Sequence, residues 1–325
     1  MGSAQTPFNF TMNTNNTSAG STASNQFKLP LVSSGSINCF VYWGDGSYDN
    51  ITTWNQVEVT HTYAIAGVYD VKIIGILKGW QFNNGGDKLK ILNIINWGSL
   101  IISVNAGFYG CTNLTASATD APIITSTSLG SYFQSCSNFN GAVGNWNIGS
   151  VTDVSTMFFF ASSFNQNIGS WNTGSVTQMY AFLAYANVFN NGGSPDINNW
   201  NTSSVTQMPA LFEGSPLFNQ PIGNWNTSSV TNMNSLFNTA SAFNQNIGSW
   251  NVSNVTSASG FMIGKSAANY SAANLDAIYN GWSSRPVQPN VNINFGSIKY
   301  TAAGQAGKDI LDFAPNNWTI VDGGI

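Results

Sequence analysis

Residues 225–237 read Trp225-Asn226-Thr227-Ser228-Ser229-Val230-Thr231-Asn232-Met233-Asn234-Ser235-Leu236-Phe237. Six residues later come Phe243-Asn244-Gln245-Asn246-Ile247-Gly248-Ser249, and then the phrase restarts at Trp250-Asn251. It recurs throughout the stretch from Trp146 to Met262. Trp-Asn pairs begin at Trp146, Trp171, Trp200, Trp225 and Trp250, at steps of 25, 29, 25 and 25 residues. Self-similarity at a fixed period in the twenties predicts a solenoid, because one coil cannot bury its apolar face alone and must stack on the next.

With each Trp counted as position zero, the apolar residues fall into columns. Position five holds Val151, Val176, Val205, Val230 and Val255. Position twelve holds Phe158, Leu183, Phe212, Phe237 and Met262, and position eighteen holds Phe164, Phe189, Phe218 and Phe243. Such columns read as a shared core rather than a sugar-stacking strip. The asparagines also recur, at Asn147, Asn172, Asn201, Asn226 and Asn251 and at Asn165, Asn190, Asn219 and Asn244. They read as a ladder that bonds turn backbone which would otherwise be buried unpaired. One step is 29 residues because Asn190, Asn191, Gly192, Gly193, Ser194, Pro195 and Asp196 lengthen a turn. Insertions in repeat proteins map to loops on one face, often the binding face, so these seven residues are the candidate interaction loop.

The pattern F-N-x-x-I-G-x-W-N-T-S-x-V-T-x-M-x-x-L-F, over about residues 138–262, resembles the repeat of BspA-like surface proteins, relatives of the leucine-rich repeats. The resemblance implies a role in surface attachment. Earlier phrases keep the period: Phe108-Tyr109-Gly110-Cys111 and Phe133-Gln134-Ser135-Cys136 lie 25 residues apart, and Leu89-Lys90-Ile91-Leu92-Asn93-Ile94 reads as a leucine-rich-repeat strand. Cys111 and Cys136 are read as stacked buried thiols. Parallel Cβ vectors suit a disulfide poorly, which is the other reading.

Upstream, Phe8–Met12, Ile37–Trp43, Val57–Tyr63 and Val68–Ile74 alternate apolar and polar residues as half-buried strands do. Short strands with turn signals between them predict a β-sandwich. Trp43-Gly44-Asp45-Gly46-Ser47, then His61-Thr62-Tyr63, then Gly67-Val68-Tyr69-Asp70-Val71, resemble the PKD domain, an immunoglobulin-like sandwich. That resemblance implies an extracellular interaction or spacer module, with His61 packing inside it. Asp45 and Asp49 read as turn-bonding carboxylates; a calcium site is the alternative. After the repeats, Ser271–Trp282 and Ala302–Phe313 read as helices, with Ser271 a plausible N-cap. Val291–Phe295 and Trp318–Gly323 read as strands. Together they predict a cap covering the end of the repeats.

The expected fold is therefore mainly β: a PKD/Ig-like sandwich over residues 1–80, a leucine-rich-repeat-like solenoid of ~25-residue coils over 81–262, and a small α/β C-terminal cap over 263–325.

Composition narrows the function. Charged residues make up 7% of the chain, against roughly 25% in ordinary globular proteins, so its surface is neutral and little affected by salt. No Lys or Arg lies between Lys90 and Lys265, which leaves that stretch without the basic groups a nucleic acid requires. There is no apolar run long enough to cross a membrane. Residues 1–16 lack the basic and apolar regions of a secretory signal. Within the repeats the only acids, Asp153, Asp196 and Glu213, share no column, so no carboxylate pair for glycan cleavage is expected. A lone histidine and three dispersed cysteines give no metal spacing. No catalytic residue, cofactor or metal is expected.

Extracellular-looking modules without an export signal point to a phage virion surface protein, a capsid decoration or knob more than a tail fibre. The two modules together resemble proteins of marine phages. Expected partners are other virion proteins, and a host surface protein or glycan. Neither nucleic acid binding nor membrane insertion is expected, and the particle would set the oligomeric state. The alternatives are a bacterial cell-surface adhesin and a tail-associated polysaccharide depolymerase.

Overall fold

The computed structural model describes residues 6–325; the first five residues, which open the stretch read for a secretion signal, lie outside the described residues. Strand, 20% of the chain, exceeds helix, 10%, which makes the class mainly β. The chain forms two compact units: residues up to 151 with 157–166, and residues 152–156 with 167–325.

The first unit is organised by alternation. Strand β1 (Phe8–Asn13) buries Phe8, Phe10 and Met12 completely, and its other side chains stay half-buried. It lies antiparallel between β6 (Val68–Lys78) and β7 (Ile91–Asn96). β3 (Ile37–Tyr42) buries Ile37, Cys39 and Val41 and pairs with both β6 and β4 (Tyr48–Ile51). Gly75 in β6 sits at φ 122°, where a Cβ would lie 2.4 Å from the Asn38 carbonyl oxygen, so only glycine lets β3 approach there. Parallel additions follow: β8 (Leu100–Ile102) on β6, β10 (Ile123–Ile124) on β8, and β9 (Thr115–Ala116) on β7. The result is one eight-stranded mixed sheet. A two-stranded sheet of β2 (Gln26–Lys28) and β5 (Thr60–Thr62) meets it through Phe27, whose ring centroid is 5.8 Å from that of Phe10. Residues 57–59, expected to start a strand, form a 3₁₀ turn.

This corrects the expected architecture. A self-contained sandwich over residues 1–80 followed by a leucine-rich-repeat-like solenoid is not what the chain forms. β1 pairs with β7, and β6 pairs with β8, so a single sheet runs through both expected modules. Beyond it, among the described residues, no strand occurs between Ile124 and Asn292. In the second unit the parallel pairing reduces to isolated bridges, Asp153 to Gln178, Gln178 to Gln207, Gln207 to Asn232 and Asn232 to Ser257. The physical reason lies in the backbone. Positions ten and fourteen of the repeats are left-handed: Ala181, Ala210, Ser235 and Gly260 at the first, Tyr185, Gly214, Thr239 and Gly264 at the second. Two left-handed residues per repeat break any extended run, so the repeats are successions of turns.

Aromatic columns hold the second unit together. Trp200 stacks on Trp225 at 5.8 Å, Phe212 on Phe237 at 5.9 Å and Phe218 on Phe243 at 6.0 Å, each pair within 9° of parallel. Within one repeat Phe212 also lies on Phe218 at 3.7 Å. At its C-terminal side are α1 (Ala272–Trp282), β11 (Asn292–Asn294), α2 (Ala302–Asp312) and β12 (Thr319–Val321), with β11 and β12 parallel. The Ser271 side chain accepts from the Asn274 amide and caps α1. Gly281 lies inside the helix, which runs on to Trp282. Asp276 of α1 accepts from both the amide and the hydroxyl of Thr301, the residue that caps α2.

Candidate interaction surface

The recurrent side chains of the repeats are engaged inside the fold. Trp146, Trp171, Trp200, Trp225 and Trp250 are at most 4% exposed. The indole N–H of Trp200, Trp225 and Trp250 donates to Ile168, Ile197 and Ile222 respectively, each the carbonyl of the isoleucine three residues before the previous Trp. Buried Thr173, Thr202 and Thr227 donate to the carbonyls of Asn201, Asn226 and Asn251 in the following repeat.

The asparagines act on the backbone in two ways. Asn201, Asn226 and Asn251 each accept from the amide two residues on, closing an Asx turn. Asn190, Asn219 and Asn244 instead accept from the amides of Asn219, Asn244 and Ser271, linking one repeat to the next. In both sets the side-chain oxygen serves the scaffold.

The exposed apolar side chains fall at positions that differ from repeat to repeat. Position nine reads Ser155, Tyr180, Pro209, Asn234 and Ser259, and Tyr180 is 53% exposed. Position seventeen reads Ser163, Val188, Leu217, Ala242 and Ala267; Val188 is 38% and Leu217 52% exposed. Position thirteen ends in Ile263, 44% exposed. The same position supplies Glu213, whose carboxylate accepts from the Tyr185 hydroxyl of the repeat before and the Asn238 amide of the repeat after. Burial, then the Glu213 charge beside it, raises the Tyr185 pKa. Sequence reasoning placed recognition on the variable positions as a class without singling out these residues. The signal was there: a tyrosine and a leucine where sister repeats have serine, asparagine or alanine.

The predicted loop folds inward. Asn191 is fully buried; its Oδ1 accepts from the Ile168 amide, and its Nδ2 donates to the Ser194 carbonyl and to Asp196 Oδ1. Asp196 Oδ2 accepts from Asn167. A Cβ on Gly169 would lie 2.1 Å from that carboxylate, so a glycine faces it. Partial burial pushes the Asp196 pKa up, but hydrogen bonds from Asn167, Ser194 and Asn191 outweigh it and the pKa falls. Asn190 belongs to the inter-repeat ladder, and Ser194 closes a turn onto Asn191. Only Gly192, Gly193 and Pro195 are exposed, so the loop offers backbone and a proline ring outward rather than a set of functional side chains.

In the first unit, His61 stacks on Trp43 at 4.7 Å, and its Nε2 lies 2.8 Å from Asp45 Oδ2 and 3.5 Å from the Ser47 hydroxyl. A relay needs opposite ring nitrogens facing serine and carboxylate. Here one nitrogen faces both, and Ser47 donates to Asp45, so the trio staples a turn. Asp49, the other carboxylate read for calcium, accepts from the Trp43 indole. Among the described residues no group of three or more His, Cys, Asp or Glu could hold a metal ion. Cys111 and Cys136 are free and buried, and the Cys136 thiol donates to the Phe108 carbonyl.

A family model described as "Mycoplasma protein of unknown function, DUF285" matches residues 102–195 and again residues 192–289. The two matches meet at Gly192–Pro195, inside the insertion, so the lengthened turn stands where one family unit gives way to the next. No curated protein and no solved structure matches the chain.

Proposed function

The chain belongs to the DUF285 family of BspA-like repeat proteins, and on that premise we propose that it is a non-catalytic surface protein of a phage virion. In this reading it is a decoration or knob rather than a fibre, and its repeats present a neutral surface to host proteins or glycans. One observation carries the presenting role: the recurring apolar positions are buried in the scaffold, while positions that vary carry the exposed Tyr180, Val188, Leu217 and Ile263. A surface free to vary over a fixed scaffold suits recognition.

Attachment to the particle is assigned to the first unit. The outer face of its sheet exposes Phe40, Tyr42, Tyr48, Ile74 and Ile76, from 36% to 63%. Phe40 lies directly opposite Ile74 and Tyr42 opposite Tyr48, so the apolar side chains adjoin across three strands. Adjoining exposed apolar residues mark an interaction site more often than scattered ones do. The virion itself rests on the likeness of the two modules together to marine phage proteins. The family description names Mycoplasma, a cellular source, which favours a second reading, a bacterial cell-surface adhesin. Labelling with an antibody against the chain separates the two. The virion reading expects label on intact purified particles; label confined to cell envelopes would support the adhesin and end the virion reading.

A further inference from the structure

Eleven tryptophans occur in the chain, and ten of them are at most 4% exposed. The eleventh, Trp54, is 44% exposed. An indole left in water forgoes about 2 kcal/mol or more of burial energy, which the chain recovers at its other tryptophans. Trp54 stands at the edge of a cleft of about 450 Å³ in the first unit, between its own loop and the β2–β5 pair. The lining is mixed: exposed Val57 beside Trp54, then the neutral polar Gln26, Asn55 and Thr60. Lys28 is its one charged group.

The loop is held in place before any ligand arrives. Gln56 Oε1 accepts from the amides of Thr52 and Thr53, at 2.7 and 3.0 Å, and its Nε2 donates to the Asn50 carbonyl at 3.0 Å. One side chain thereby closes the turn that carries Trp54. Binding then has little loop ordering to overcome. Asn55 and Thr60, in contrast, have side chains that take part in no hydrogen bond among the described residues, so their polar groups are available to a ligand.

We propose that this cleft is a binding site for a neutral glycan, with Trp54 as the platform for the C–H face of a sugar ring and Asn55 and Thr60 as partners for its hydroxyls. The chemistry selects the class. A sugar ring has one apolar face and a rim of uncharged donors and acceptors. The cleft matches it with one aromatic face and a rim of amides and hydroxyls. A phosphate-rich ligand would require more than Lys28. The site lies apart in sequence from the repeats, so it is a second recognition element and does not depend on the repeat surface being adhesive.

The test is fluorescence titration of the full chain with cello-, laminari- and chito-hexaose. Trp54 is the solvent-facing indole, and the difference spectrum against Trp54→Phe reports it alone. Expected is saturable binding of at least one hexaose, weakened tenfold or more by Trp54→Ala and severalfold by Asn55→Ala. Unchanged thermal unfolding in both variants would show that the fold is intact. Failure of all three hexaoses to bind at millimolar concentration would overturn the proposal. So would binding that Trp54→Ala leaves unchanged, or displacement of the signal by an extended peptide and not by sugar.

Discussion

Trp225 and Trp250 lie face to face, ring centroids 6.2 Å apart and planes 4° from parallel, and each indole N–H donates to the carbonyl of the isoleucine three residues before the previous Trp. One residue per repeat thus does two jobs: it fills the core and ties its repeat to the one before. Trp282 of α1 makes the same bond to Ile247, so the helix continues the pattern after the last Trp-Asn pair.

Trp225→Ala removes a buried stack and a buried hydrogen bond together. A loss of about 3–5 kcal/mol is expected for such a cavity. Trp225→Phe keeps part of the stack and forfeits the bond, leaving the Ile197 carbonyl unpaired, and about 1–3 kcal/mol is expected. Denaturant unfolding monitored by circular dichroism measures both; a Trp225→Phe variant as stable as the wild type would show that the N–H contributes nothing.

Asn226 accepts from the Ser228 amide through Oδ1. Asn226→Asp keeps that acceptor and is expected to be close to neutral, whereas Asn226→Ala is expected to cost about 1 kcal/mol. A destabilising aspartate would mean that the asparagine column needs its N–H groups as well, which turn closure alone does not require.

Thr239 sits at φ 58°, a conformation that disfavours β-branched residues, at a repeat position where Gly214 and Gly264 occupy sister repeats. Thr239→Gly relieves about 1–2 kcal/mol of left-handed strain. The greater freedom of the unfolded chain takes back about 0.5–1 kcal/mol of it. A rise in unfolding midpoint is expected. Gly214→Ala is expected to lower it, because the new Cβ would stand 2.4 Å from the Tyr185 ring.

Lys265 is 1% exposed, and its ammonium donates to the Ser241 and Asn269 carbonyls. Burial lowers its pKa to about 8, against about 10.4 unfolded. Between those values this lysine is protonated in the unfolded chain and neutral in the folded one, so its own contribution to stability rises with pH through that window. The buried thiols of Cys39, Cys111 and Cys136, whose pKa values burial raises, act in the opposite sense, so the lysine is read by difference: the unfolding free energy of the wild type relative to Lys265→Met is expected to grow between pH 7.5 and 9.5. A fall with pH in the wild type, unaltered by the substitution, would contradict this.

Asp45 shows the opposite pH limit. Partial burial pushes its pKa up, but the bonds from Ser47 and His61 outweigh it and hold the pKa at about 2. That lowered value adds stability present above about pH 4, the unfolded value, and lost as pH falls toward 2. Asp45→Asn is expected to shrink the acid sensitivity of unfolding between pH 4 and 2; an identical acid profile would remove Asp45 from the account.

The repeat columns were legible in the sequence because their period is short and each buried position recurs. Strands β1, β3 and β6 were legible because alternation is local. The single sheet was not, because it depends on pairing β1 with β7 across some eighty residues, and no local pattern encodes a partner that far away. The turn-built repeats were hidden too: their left-handed positions are held at Ala181, Ala210 and Ser235 by residues that carry no glycine-like signal. The insertion was visible as extra length, yet nothing in Asn190–Asp196 foretold that Asn191 and Asp196 would bond each other and turn inward. Trp54 escaped notice because it lies in an irregular loop, where exposure is decided by Gln56 closing the turn rather than by periodicity.

The central claim is that the repeats are a scaffold whose variable side chains do the recognising. The most direct measurement is adhesion of the purified chain to host-cell surfaces, comparing wild type with a variant that combines Tyr180→Ser, Val188→Ser, Leu217→Ser and Ile263→Ser. The account predicts a tenfold or greater loss of adhesion with the unfolding midpoint preserved, since these side chains are exposed. Undiminished adhesion by a folded variant would contradict it.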